Sequence, residues 1–118
     1  MAAGVYIDGN WYEGSGPRFE NTCPATGEKV WEGNAAGPDD VTAAIDSARK
    51  SFAHWSRLPQ GDRTAVMERY AEEIAKRTDA IATTISRDMG KVLWETRAEA
   101  ATMKAKVAVS IAAQNERA

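Results

Sequence analysis

The sequence predicts an α+β segment: a β-hairpin and short strands over residues 1–36, then about four α-helices over residues 37–118. Three observations predict it. Asp8-Gly9 stands between the β-prone triplets Val5-Tyr6-Ile7 and Asn10-Trp11-Tyr12, and such a dipeptide suits a two-residue hairpin because both turn positions need positive φ. After Gly37-Pro38 the apolar period changes from that of a strand to that of a helix. A long helical pattern then runs from Asp62 to Met89 and stops at Gly90-Lys91.

In chain order, Gly14-Ser15-Gly16-Pro17 breaks the hairpin and Arg18–Thr22 extends again. Pro24-Ala25-Thr26-Gly27 reads as a turn, with proline fixing the entry and glycine the exit. Lys29–Gly33 resumes as a strand whose Val30 and Trp31 point to opposite faces, so at least one needs cover. Pro38 suits the first position of a helix to Trp55, and Asp39 and Asp40 sit at its positive end. Val41, Ala44, Ile45, Ala48, Phe52 and Trp55 make one stripe, which predicts a packed face.

Val66, Tyr70, Ile74, Ile81 and Ile85 likewise share one stripe. The opposite face carries the i,i+4 pairs Glu72→Lys76 and Glu73→Arg77, each worth roughly 0.2–0.5 kcal/mol. Thr78-Asp79 reads as a cap dividing the run into helices Gln60–Arg77 and Asp79–Met89, and Gly90 supplies a left-handed stop. From Val92 onward, Trp94, Ala98, Ala101, Ala105, Ala108 and Ala112 continue in helical phase with Met103, Val107 and Ile111 adjoining, and the richness in alanine permits close approach of a neighbour. The pattern meets no glycine or proline before Ala118, so the helix reads as cut short.

A chain of 118 residues is one domain at most, and size scaling has it bury about 68% of its unfolded surface. The formal net charge of −2 comes from interspersed charges, with no basic stripe to follow a phosphate backbone, so nucleic acid is not an expected partner. No apolar run approaches the roughly 18 residues of a membrane span, and the first residues lack a signal-peptide pattern. Membrane partners are not expected and the default address is cytoplasmic. One cysteine allows no internal disulfide, and one Cys with one His cannot close a zinc site, so no metal is expected.

Cys23, the single thiol, precedes Pro24 in the turn and reads as an ordinary cysteine. His54 lies off the apolar stripe and reads as a surface histidine. Asp39-Asp40 and Glu72-Glu73 are adjacent acids that face different directions, helix-surface charges instead of an acid–base pair. Lys91 follows a helix end and reads as a cation satisfying carbonyls there. No G-x-G-x-x-G exists and Gly61 stands alone, so no cofactor-binding residue is assigned.

Cys23-Pro24-Ala25-Thr26-Gly27-Glu28, followed by Asp40-Val41, Ala44, Ala48-Arg49, Phe52, Trp55, Arg63 and Gly90-Lys91, resembles in order and spacing the N-terminal part of the NAD(P)-dependent aldehyde dehydrogenases. Within that family, Trp31-Glu32-Gly33-Asn34 and Gly90-Lys91-Val92-Leu93-Trp94-Glu95 are most similar to the succinylglutamate-semialdehyde dehydrogenases of arginine catabolism. The family usually has Asn at Cys23, Glu-Thr at Asp88-Met89, proline at Val92 and often a polar cap at Pro59.

The resemblance implies an α/β enzyme with a Rossmann-like cofactor domain, of which these residues are an incomplete part whose helices cover the sheet. It implies a thiolate that attacks the aldehyde, hydride transfer to NAD or NADP, and a glutamate that activates water, all from motifs downstream of this chain. The expected partner is therefore the remainder of the aldehyde dehydrogenase chain, within a homo-oligomer. No catalytic, cofactor-binding or metal residue is assigned here, and neither NAD nor NADP is expected to bind this chain alone. By its count from Gly90, Met103 falls at a position that lines the family's substrate entrance; an ordinary core methionine is the other reading. Two further functions fit the residues: a small α+β interaction module, or a non-catalytic truncated paralogue that assembles with full-length subunits.

Overall fold

The computed structural model describes residues 4–117. They form two compact units that divide between Arg57 and Leu58. The first holds strands β1 (Val5–Ile7), β2 (Asn10–Tyr12), β3 (Arg18–Thr22) and β4 (Lys29–Asn34) with helix α1 (Pro38–Trp55). The second holds α2 (Gln60–Lys76), α3 (Thr78–Met89) and α4 (Leu93–Arg117).

β1 and β2 pair antiparallel, and Asp8 and Gly9 both take positive φ, at 52° and 80°. This is the hairpin expected of the dipeptide. Tyr6 lies opposite Trp11, their rings 5.0 Å apart at 54°, an aromatic cross-strand pair of the kind that adds to hairpin stability. β3 and β4 form a second antiparallel pair, with a bulge that opposes Thr22 to Lys29 and skips Val30. Phe19 covers Trp31, ring centroids 4.8 Å apart.

The β3–β4 register puts Glu20 directly opposite Glu32, and like charges so placed repel. Lys29 resolves this by bridging both, at 3.0 and 2.7 Å, and Arg18 adds a 3.0 Å contact to Glu32. Hydrogen bonding to Lys29 and then Arg18 holds the Glu32 carboxyl below its usual range. All four groups are solvated, so the ladder sets register more than stability.

α1 has the predicted bounds, but its predicted packing face is corrected. No α1 residue is buried, and Val41, Ile45 and Phe52 are exposed. The half-buried line is Asp40, Ala44 and Ser47, which takes in Ala44 of the stripe and leaves Ala48 exposed with the large residues. Ser47 Oγ sits 3.4 Å from Asp8 Oδ1, where α1 meets β1.

In the second unit α4 packs against both α2 and α3. Gln60 Nε2 donates to Asn115 Oδ1 at 3.0 Å, joining the start of α2 to the end of α4. Arg97 Nε meets Asp79 at 3.1 Å, joining the start of α3 to α4. Of the predicted α2–α3 stripe, Ile74 is buried and Ile81 and Ile85 are half-buried, whereas Val66 and Tyr70 face solvent. Glu73 takes both Lys76, at 2.7 Å, and Arg77, at 3.3 Å.

The Thr78 cap is also corrected. Its hydroxyl donates backward to the carbonyls of Ile74 and Ala75, and the N-cap of α3 is Arg77, with no side-chain capping bond. Gly90 closes α3 at φ 67°, ψ 20°, the left-handed stop the sequence predicts. Gly90→Val puts a β-branched side chain there. It should lower the stability of the chain by about 1–3 kcal/mol in urea unfolding, and Gly90→Asn by less; equal midpoints for Val and wild type would refute the requirement for a left-handed residue.

The alanine face of α4 is open in this chain. The buried residues are Thr96, Ala100 and Val107, while Trp94, Ala98, Ala101, Ala105, Ala108 and Ala112 are exposed. Trp94 to Thr96 is two residues, about 200° on a helix, so the face covered within this chain is nearly opposite the alanine face. Thr96 Oγ1 donates to Leu93 O at 3.0 Å, which satisfies a hydroxyl with no solvent access. No described helix is long and apolar enough to cross a membrane.

Candidate functional site

α4 carries the residue the sequence singles out. Met103 is seven residues after Thr96 and four before Val107, so it shares the phase of the buried line. Yet it is 42% exposed. It lines a shallow open groove with Glu95, Ala98, Glu99, Thr102 and Lys106. A helix line covered before and after Met103 is thus open at Met103, and a thioether there is an adaptable apolar surface.

The loop before α4 is tied to that groove. Ser86 Oγ donates to Lys91 O at 2.7 Å, and Lys91 Nζ pairs with Glu99 on the groove wall. The hydrogen bond that Lys91 Nζ donates to Glu99 raises the Lys91 pKa. Lys91 therefore links the helix stop to α4, which replaces its reading as a cap on the α3 carbonyls. Sequence reasoning missed Glu99, whose eight-residue separation from Lys91 crosses a loop.

Cys23 is buried at 7% exposure inside the β3–β4 turn. Its N–H donates to Glu28 O and its carbonyl accepts from Gly27 N, both at 2.8 Å. A hydrogen bond with the Thr26 side chain, then the backbone at Ala25 and Thr26, lowers its thiol pKa against desolvation and the Glu28 charge. His54 is exposed in the last turn of α1.

Asp40 does more than charge a helix end. Its Oδ2 accepts from Gly37 N, Ser15 N and Ser15 Oγ, each at 2.8 Å. The Gly37 bond is the backward half of a capping box; the Ser15 bonds fasten the loop after β2 to the start of α1. These donors, the Ser15 N–H first, hold the Asp40 carboxyl below its usual range. A depressed folded pKa contributes stability above the unfolded value, lost as pH falls through the folded one. Asp40→Asn should therefore unfold with a smaller dependence on pH below 4 than wild type, measured by circular dichroism across acid titrations; parallel curves would remove Asp40 from the acid response.

The same carboxylate bears on a dinucleotide. A helix N-terminus after a glycine is a ready phosphate site, but the Gly37 N–H is engaged by Asp40, and Asp39 and Asp40 make that end acidic. The α1 end does not fit a pyrophosphate. Among the described residues no cluster of three His, Cys, Asp or Glu side chains could hold a metal ion.

Solved structures share this fold. HpcC from Thermus thermophilus matches at TM-score 0.88 and 29% identity, over 94% of this chain and 22% of that one. An NAD-dependent benzaldehyde dehydrogenase from Corynebacterium glutamicum matches at TM-score 0.84 and 25% identity, over 89% of this chain and 23% of that one. The aldehyde dehydrogenase family model matches residues 11–117, and the chain belongs to that family. N-succinylglutamate 5-semialdehyde dehydrogenase of Burkholderia mallei is 51% identical over 113 residues, 96% of this chain. This chain spans 23% of that relative's length.

Proposed function

We propose that these residues are the N-terminal part of an NAD-dependent aldehyde dehydrogenase that oxidises N-succinylglutamate 5-semialdehyde to the carboxylic acid, in cytoplasmic arginine catabolism. The 51% identity to a dehydrogenase named for that substrate carries the reading. NADP is the alternative cofactor within the family. The role of this chain is architectural: its helices cover the cofactor domain supplied by the remainder of the polypeptide, in a homo-oligomer, and Met103 lines the substrate entrance. Its residues take no chemical step, because Cys23 is spent in a turn and the α1 end is closed by Asp40.

The test exchanges the matched 113 residues of the B. mallei relative for this chain and follows NADH formation. Activity with N-succinylglutamate semialdehyde above that with benzaldehyde supports the reading; a folded chimaera that prefers benzaldehyde overturns the substrate. In the same chimaera Met103→Ala should raise KM several-fold with kcat largely kept, the pattern of lost uniform binding. An unchanged KM would return Met103 to the core reading.

A further inference from the structure

No further inference is drawn: the strongest candidate, the open apolar groove between α2 and α4 floored by Ala101, Ala105 and Ala108 and flanked by Glu68, Glu72 and Lys104, carries nothing because nothing in the structure shows what covers it, and the remainder of the family's longer chain is the occupant already proposed.

Discussion

The purified 118-residue chain should form no NADH or NADPH from N-succinylglutamate semialdehyde or simpler aldehydes. The reaction needs a positioned thiolate, a base and a dinucleotide cradle. The single thiol is buried in a turn closed by backbone bonds from Cys23 N to Glu28 O and from Gly27 N to Cys23 O. A lowered pKa favours a nucleophile only where substrate can reach it. Loss of a catalytic set costs about 10⁶-fold in turnover in a hydrolase, so the expected rate is the buffer blank. Cys23→Ser is the control that decides the residue. Turnover that disappears in Cys23→Ser would make Cys23 the nucleophile and break the family alignment around the turn.

The same preparation should associate. Trp94 is 72% exposed on α4, and Met89, Val92, Val109 and Met103 are exposed in the same unit. Apolar surface left open in this way favours contact between chains. Light scattering across protein concentration reads it; a monomer at every concentration would mean that the open side chains are too dispersed to act as a patch.

The elements were legible because local rules set them. Asp8-Gly9 made a hairpin by backbone geometry alone, and Gly90 stopped α3 in the left-handed region. Pro38 and the two aspartates marked the start of α1. What the sequence obscured was the choice between faces. α4 has apolar residues on two sides, so both the alanine line and the Thr96–Ala100–Val107 line satisfy helical periodicity, and only the neighbours α2 and α3 choose between them. Nor does periodicity carry distance along the chain. The Ser15–Asp40 clamp spans 25 residues, and neither residue type announces its partner. Serine in a glycine-rich loop and aspartate in a first turn each have a sufficient local explanation, which hides the long-range one. Met103 was singled out by family resemblance and not by periodicity; Glu99 and Lys106 beside it carried no signal beyond a solvated helix face.

Ile74→Ala should destabilise the chain by about 2–5 kcal/mol, whereas Phe52→Ala should change it by no more than about 0.5 kcal/mol. Side-chain size predicts the reverse, since phenylalanine has more apolar surface to lose. Environment decides: Ile74 is 6% exposed and Phe52 is 66% exposed. Truncating Ile74 removes methyl groups from water-free surroundings and leaves a cavity that its neighbours fill only in part. The rest of that core is small, with Ala82, Ala100, Val107 and the hydroxyl of Thr96, so few side chains are long enough to move into the gap. Truncating Phe52 exposes little that is not already wet. Urea unfolding followed by circular dichroism measures both, with Ile74→Val as a graded control at about 0.5–1.5 kcal/mol should the alanine variant fail to fold. Equal losses for Ile74→Ala and Phe52→Ala would overturn the burial assigned to the two helices. On the proposed architecture, in which the longer polypeptide covers the α1 stripe, Phe52→Ala in the chimaera with the B. mallei relative should instead cost about 3–5 kcal/mol. A Phe52→Ala effect that stays near zero in the chimaera would leave that stripe on the surface of the whole enzyme and remove α1 from the elements that cover the cofactor domain.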